Sequence, residues 1–343
     1  MHSLQITCIF HGPFVFDEGD AARIYHALSP ERCIVAGVMG RTAALASGLP
    51  LTYADAPPSV VINGMEGVCV LVNRGKTPVS GRRFGEIVSS RISGGLIHIE
   101  CSNQICYLWN TGDRAIAEEI CDRIGYRLVS MNSSPRDQPE MRRICGCIPG
   151  EPVMVEGITI GYATAEEAVI SCKEGILMPI SGIRLKLHGI EKLHAAGCPP
   201  LDRAWCKSGW IRRAAPDNPV RSAPPCGRVQ TIDHAGIAIY RLITPDTCGI
   251  LSIGDDTTAV CGHIGAVLGV PVFGITDGDG DEIIPEAYAP GSVIVRTILE
   301  TDDQVGLEIA ESLPDGDQIC WDDLVTSLLE RFSGLIRVLR DYR

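Results

Sequence analysis

Short apolar runs alternate with helical patterns over about the first 135 residues, and this alternation constrains the fold more than any other feature of the chain. Apolar runs of strand length cover Gln5 to Phe10, Cys33 to Val38 and Val68 to Val72. Helical patterns such as Asp17 to Leu28 and Ala115 to Gly125 lie among and after them. Strands that alternate with helices form a mostly parallel, doubly wound sheet. The sequence therefore predicts a Rossmann-like α/β domain over residues 1–135.

Two further segments follow a linker rich in proline and serine at Asn132 to Pro139. Residues 140–230 contain short β-like runs split by glycine, and between Gly182 and Arg228 nine basic residues accompany three acidic ones. This pattern predicts a small, β-rich, basic middle domain. Residues 231–343 return to strand–helix alternation and predict an acidic α/β domain, which ends in an amphipathic helix expected over Asp322 to Asp341.

The charge of the chain limits its partners. The formal net charge is -12, and between Leu251 and Cys320 fourteen acidic residues accompany one basic residue, Arg296. General nucleic-acid binding needs a basic surface, so the charge argues against it. No apolar run approaches the ~20 residues of a membrane helix, and the N-terminus lacks the pattern of a cleavable signal peptide. We therefore expect a cytoplasmic protein without a membrane partner.

The fifteen cysteines form no Cys-x-x-Cys pair. A convergence of His194, Cys198, Cys206 and Cys226 on a metal is one interpretation, although their spacing fits no standard site. The simpler interpretation is that most cysteines act as small buried hydrophobic residues in a reducing compartment.

Two acidic turns follow apolar runs in the last domain, and they are the strongest candidate for a metal site. The aspartates are Asp255, Asp256, Asp277, Asp279 and Asp281. Carboxylates this close repel one another unless a cation or protons intervene, and Mg²⁺ commonly binds one or two carboxylates together with a substrate phosphate. Two alternatives stay open: the turns are solvated or form a docking surface, or they form a calcium loop. A calcium loop of the EF-hand type lacks its glycine and its last glutamate here.

Polar residues after strand ends of the first domain suggest a cofactor site for an anion or nucleotide. The candidates are Gly12, Gly40, Arg41, Thr42 and Lys76. Glycine lets backbone N–H groups approach a phosphate, and the basic side chains would neutralise it. Neither a Walker-type phosphate loop nor a Gly-x-Gly-x-x-Gly motif is present. Ordinary turn chemistry at strand ends is the alternative interpretation.

Three residues are candidates for catalytic proton transfer, namely His11 and the adjacent pair Asp233 and His234. The alternative for the pair is a turn aspartate beside a partly buried histidine.

Several motifs together resemble an uncharacterised archaeal family best known from methanogens. They are His11 to Pro13 with Asp17, Ala36 to Ala43, Pro149 to Glu151, Lys186 to Leu193, Asp233 to Gly236, Gly254 to Thr258 and Gly274 to Asp279. The resemblance covers almost the whole chain and implies an archaeal cytoplasmic setting, but it implies no reaction.

Two functions are therefore the leading candidates, and a cysteine-bound metal carrier is a third. One is a Mg²⁺-dependent enzyme that transfers or hydrolyses phosphate on a phosphorylated small molecule or nucleotide. The other is a non-enzymatic accessory or assembly subunit of a methanogen protein complex, which would bind a protein partner through the acidic surface and the C-terminal helix.

Overall fold

The computed structural model describes residues 5–37, 40–134, 138–216, 219–233, 239–278, 280–314, 316 and 318–343. The chain forms two compact units, Met1–Gly209 and Trp210–Arg343. This boundary divides residues 140–230, which the sequence predicts as one middle domain, between the two units.

A seven-stranded sheet organises the first unit, in the order β3-β2-β1-β4-β5-β6-β7. Its strands are β1 (Ile6–His11), β2 (Arg32–Ala36), β3 (Thr52–Ala54), β4 (Val68–Asn73), β5 (Leu96–Glu100), β6 (Ile105–Trp109) and β7 (Arg127–Met131). Strands β1 to β5 are parallel, whereas β6 is antiparallel to β5 and parallel to β7. The prediction of a mostly parallel α/β sheet is confirmed.

Helices cover both faces of this sheet. They are α1 (Phe14–Asp17), α2 (Asp20–Leu28), α3 (Arg41–Ala46), α4 (Pro58–Asn63), α5 (Pro78–Ser90) and α6 (Arg114–Ile124). Ile24 of α2 packs in one core cluster with Phe10 of β1, whereas Val88 of α5 packs in another with Ile9. Neighbouring residues of a strand point to opposite faces, so the helices that follow β1 and β4 lie on opposite sides. The carboxyl ends of β1 and β4 therefore form a topological switch point, where ligands bind in open α/β sheets.

The rest of the first unit is β-rich, as predicted. Its elements are β8 (Met141–Cys145), β9 (Pro152–Val155), β10 (Ile158–Ala163), β11 (Glu167–Lys173), β12 (Ile176–Ser181), β13 (Ile183–Leu185), α7 (Leu187–Ala196) and β14 (Cys206–Ser208). They form two small antiparallel sheets, β13-β10-β9-β14 and β12-β11-β8, around one hydrophobic core.

The second unit contains a six-stranded sheet in the order β19-β15-β16-β17-β18-β20. Its elements are β15 (Cys226–Asp233), α8 (Ile239–Leu242), β16 (Thr247–Ile253), α9 (Asp255–Leu268), β17 (Val272–Thr276), β18 (Val293–Thr297), α10 (Asp302–Glu311), β19 (Ile319–Cys320), α11 (Trp321–Arg331) and β20 (Ile336–Asp341). Strands β15 to β18 are parallel, and the two edge strands are antiparallel to their neighbours.

Helices α9 and α10 lie on opposite faces of this sheet. A Cβ at Gly274 of β17 would overlap Thr258 of α9, whereas a Cβ at Gly306 of α10 would stand 2.6 Å from Ile253 of β16. Residues Ile253 and Gly274 point to opposite faces, because the register partner of Gly274 on β16 is Ser252. Both helices begin at the carboxyl edge of the sheet.

The prediction of one C-terminal helix over Asp322 to Asp341 was wrong in its second half. Helix α11 ends at Arg331, and the chain then forms the edge strand β20. Phe332 caps the helix, and Ser333 and Gly334 follow it before the strand begins. Ile336 is buried against the sheet, and β20 pairs with the otherwise open edge of β18. Pairing a free sheet edge satisfies backbone groups that a longer helix would leave exposed.

The cysteines are mostly packing residues. Eight of the thirteen free cysteines are buried. Cys226 and Cys320, which face each other across β15 and β19, form a disulfide. Cys226 is therefore bonded within the second unit, while the ring of His194 accepts a hydrogen bond from the N–H of Leu177 at 3.0 Å. Two of the four residues considered for a cysteine–histidine metal site, His194 and Cys226, therefore have other partners within the protein.

Among the helices of the described residues, none is both long enough and apolar enough to cross a membrane.

Candidate functional site

Three carboxylates meet at the carboxyl edge of the second unit's sheet. Asp255 is the first residue of α9, Asp277 follows β17, and Asp302 is the first residue of α10. Each offers an oxygen within 4.8 Å of the others. The preceding strands β16, β17 and β18 are parallel neighbours, so their carboxyl ends lie together. We refer to these three residues as the carboxylate cluster, and it lies at the carboxyl edge, the side of an open α/β sheet where ligands bind.

Hydrogen bonds orient the cluster. The Oδ2 atom of Asp255 accepts hydrogen bonds from the N–H groups of Asp277 at 2.9 Å and Gly278 at 3.1 Å. The Oδ1 atom of Asp302 accepts one from the N–H of Asp303 at 2.9 Å. Asp302 is only 3% exposed, whereas Asp255 and Asp277 are half-buried. The turn after β17 is therefore held against the start of α9.

The charge of the cluster suits a hard divalent cation. Two unit charges about 5 Å apart repel by about 3 kcal/mol at an effective dielectric constant of about 20. The positive ends of α9 and α10 offset part of this cost, typically about 0.3–1 kcal/mol for each charge. Carboxylate oxygens are the donors that Mg²⁺, Ca²⁺ and Mn²⁺ prefer, so the residues present fit such an ion.

The predicted metal ligands divide into three groups. Asp255 and Asp277 lie together in the cluster. Asp256 instead accepts a hydrogen bond from the N–H of Asp281 at 3.0 Å, so this pair closes the turn. Asp279 lies outside the described residues. The sequence interpretation missed Asp302, although it too follows a strand end, because four residues separate it from β18.

His11 lies at the switch point formed by β1 and β4, and its ring contacts other residues of the first unit. Its Nδ1 is 2.9 Å from the carbonyl oxygen of Ala36, and its ring stacks on Phe84 with centroids 4.4 Å apart. Burial lowers the pKa of His11 to about 4; the bond to Ala36 opposes this shift and the charge of Lys207 adds to it. His11 is therefore neutral at pH 7, donates from Nδ1 and retains Nε2 as an acceptor.

The predicted glycines bring two backbone segments together. A Cβ at Gly40 would stand 3.1 Å from the carbonyl oxygen of Gly12, and Gly12 itself has a φ of +79°. Beside them, Arg41 forms an ion pair with Asp55 at 3.3 Å and lies over the ring of Tyr53. Thr42 is buried in α3. The close approach therefore lets the loop after β1 pack against the start of α3.

Lys76 connects the sheet of the first unit to its β-rich part. Its ammonium forms an ion pair with Glu151 and donates a hydrogen bond to the hydroxyl of Ser208 at 3.1 Å. The lysine side chain is only 7% exposed. The same carboxylate accepts a hydrogen bond from the N–H of Ile148 at 3.0 Å. In this structure, Glu151 occupies the position next to Lys76 that a ligand phosphate was predicted to take.

A buried carboxylate organises the loop after β4. Glu100 is fully buried and accepts hydrogen bonds from the Nδ2 of Asn73 at 2.8 Å and from the N–H groups of Gly75 at 2.8 Å and Ser102 at 3.0 Å. Burial alone would raise the pKa of Glu100, but nearby His98 and these donors outweigh it and lower the pKa. Glu100 therefore remains a charged acceptor that fixes the strand-end loop.

The remaining catalytic candidates stay predictions. Asp233 ends β15 and is exposed, and His234 lies outside the described residues. Another histidine of the second unit, His263, is buried. Its Nε2 is 3.2 Å from Nη1 of Arg212, and its Nδ1 is 3.2 Å from the carbonyl oxygen of Pro285. Since arginine can only donate, Nε2 accepts and Nδ1 donates. Arg212 is itself buried where it contacts this ring.

Fold and site define a two-unit α/β protein with a carboxylate cluster at the sheet edge of its second unit. Residues 8–317 match the family described as an uncharacterized protein conserved in archaea (DUF2117), and the chain belongs to that family. It is also similar to a protein of Methanocaldococcus jannaschii named Uncharacterized protein MJ0065, with 29% identity over 356 aligned positions that cover 96% of this chain and 97% of that protein. The archaeal family predicted from the sequence motifs is confirmed.

Proposed function

We propose that the second unit binds Mg²⁺ at Asp255, Asp277 and Asp302 and acts on a phosphorylated small molecule or nucleotide by phosphoryl transfer or hydrolysis. The observation that carries this proposal is the convergence of three carboxylates from three neighbouring strand ends. Carboxylates that share one site with a phosphate commonly do so through Mg²⁺.

Each part of the cluster has a role in this proposal. The N–H groups of Asp277 and Gly278 hold one oxygen of Asp255 and so orient that carboxylate. Asp302 contributes a buried charge, whose repulsion with the other two a cation would relieve. When bound, Mg²⁺ would polarise a phosphoryl oxygen and offset the charge that develops on it.

The test is calorimetric titration of the full chain with MgCl₂ and MnCl₂. The unchanged protein should bind one ion, and Asp277→Asn should weaken binding at least about tenfold because it removes one charged ligand. Asp323→Asn is the matched control, since Asp323 lies in the first turn of α11 and outside the cluster. Absence of binding to the unchanged protein, or equal binding by Asp277→Asn, refutes the metal site.

A positive titration should be followed by phosphate-release assays with nucleoside triphosphates and sugar phosphates, with EDTA as the control. Release that depends on the metal and is lost in Asp277→Asn supports the enzymatic proposal. Metal binding without release from any of these substrates counts against it.

One observation favours the accessory role as a second candidate. Leu299 is 91% exposed and Ile298 is 52% exposed, in the short segment between β18 and α10. Contiguous exposed apolar patches mark protein–protein interaction sites, and these two adjacent side chains would form part of such a patch. Capture from native archaeal lysate should recover a stoichiometric partner that Leu299→Ser loses, while Leu339→Ser, an exposed leucine of β20, retains it. Equal capture by both variants excludes this surface.

A further inference from the structure

Two arginines face each other near the carboxylate cluster. Arg296 of β18 and Arg337 of β20 are direct register partners in an antiparallel pair. Side chains of such partners project from the same face of the sheet, a few ångströms apart. Both arginines are exposed. The strand pair therefore presents two guanidinium groups to one side.

This arrangement is unfavourable without an anion. Like charges directly opposite each other destabilise a strand pair. In the part of the chain that the structure describes, neither Arg296 nor Arg337 forms an ion pair with a carboxylate. Arg340, on the same strand, differs because it pairs with Glu286. The two arginines thus combine charge, proximity and accessibility.

The turn after β17 joins the arginines to the cluster. Gly278 has a φ of +94°, and a Cβ there would stand 2.8 Å from both the Cζ and the Nη2 of Arg296. The N–H of the same glycine donates to Asp255 at 3.1 Å. One residue therefore separates a carboxylate on one side from a guanidinium on the other. A ligand that carries both a divalent cation and a phosphate needs such adjacent sites.

We propose that Arg296 and Arg337 bind a phosphate group of the ligand. Arginine forms paired hydrogen bonds with phosphate oxygens, and two guanidinium groups suit a terminal, doubly charged phosphate better than a phosphodiester. The substrate class is thus a phosphate monoester or a nucleotide with a free terminal phosphate. The link to a bound cation rests on the proposed function, whereas the anion site rests on the strand register.

The experiment is calorimetric titration of the full chain with inorganic phosphate, with and without Mg²⁺. The unchanged protein should bind phosphate, and Arg296→Gln and Arg337→Gln should each weaken binding by roughly tenfold or more, as expected when one charge-assisted bond is lost. Arg340→Gln is the matched control and should bind like the unchanged protein. Circular dichroism of each variant should show the same fold.

The outcomes separate the two proposals. Phosphate binding that Arg296→Gln and Arg337→Gln leave intact overturns the arginine site, as does absence of phosphate binding to the unchanged protein. Mn²⁺ titration of the same variants reports the carboxylate cluster independently. If the Arg296→Gln and Arg337→Gln variants bind both Mn²⁺ and phosphate like the unchanged protein, only the arginine site is refuted. If the unchanged protein does not bind Mn²⁺ but binds phosphate in a way that depends on both arginines, only the metal proposal is refuted.

Discussion

Replacement of Asp302 by asparagine should stabilise the metal-free second unit, although the residue begins a helix. An oxygen of Asp302 lies within 4.8 Å of oxygens of Asp255 and Asp277. At an effective dielectric constant of about 20, each such pair of charges repels by about 3 kcal/mol or more. Asp302→Asn removes two repulsions and keeps an oxygen that can accept the N–H of Asp303.

Two effects reduce the gain in the free energy of unfolding that Asp302→Asn should bring. A carboxylate at a helix N-terminus stabilises the helix by about 0.3–1 kcal/mol, and asparagine loses most of this. Asp255 and Asp277 are half-buried, so water and salt screen part of the repulsion. We therefore expect Asp302→Asn to raise the free energy of unfolding by about 1–3 kcal/mol at low ionic strength.

The assay is urea unfolding in EDTA, followed by circular dichroism, and then the same measurement in Mg²⁺. Asp302→Asn should be the more stable protein in EDTA but should gain little from Mg²⁺, whereas the free energy of unfolding of the unchanged protein should rise by RT ln(1 + [Mg²⁺]/Kd). Asp323→Asn, at the start of α11, should lose about 0.3–1 kcal/mol because its charge lies at a helix N-terminus and outside the carboxylate cluster. If Asp302→Asn is destabilised as much as this control, Asp302 is a helix cap and the electrostatic argument fails.

Three further predictions concern the first unit. The stability of this unit should fall on acidification, because folding lowers the pKa of Glu100. The stabilisation from the Glu100 carboxylate is fully present above the pKa of the unfolded state and is lost as pH falls through the pKa of the folded state. The urea midpoint of Glu100→Gln should therefore depend less on pH than that of the unchanged protein. Gly81→Ala should cost about 2–4 kcal/mol, since a Cβ would overlap the Glu100 carboxylate, whereas Gly94→Ala, in open space, should be near neutral by thermal unfolding. Lys76→Met should cost about 3 kcal/mol by leaving the Glu151 charge unpaired, and the added Glu151→Leu should restore much of the loss in a double-mutant cycle.

Each of these has a clear contrary result. Parallel pH profiles for Glu100→Gln and the unchanged protein would show that Glu100 is not the titrating group. Equal melting temperatures for Gly81→Ala and Gly94→Ala would show that α5 can move away from β5. A double variant no more stable than Lys76→Met would show that the cost comes from lost packing and not from an unpaired charge.

The sequence predicted much of the local structure because strand and helix patterns are local. The alternation in residues 1–135 indicated the parallel sheet, and the glycine-split runs indicated the β-rich segment. Near the C-terminus the same reasoning was wrong, since apolar residues after Arg331 fit a helical face as well as a strand edge. The open edge of β18 decided between them, and no local pattern records it.

The candidate site shows the same limit. The sequence by itself determined that acidic residues follow the strands of the second unit and that Asp255 and Asp277 lie at strand ends. Only the tertiary structure decided that β16, β17 and β18 are neighbours, which brings Asp302 to the other two carboxylates, and that Lys76 is paired with Glu151. The physical reason is that periodicity reports which face of an element is buried, whereas the meeting of distant side chains depends on strand order and register, which long-range packing sets.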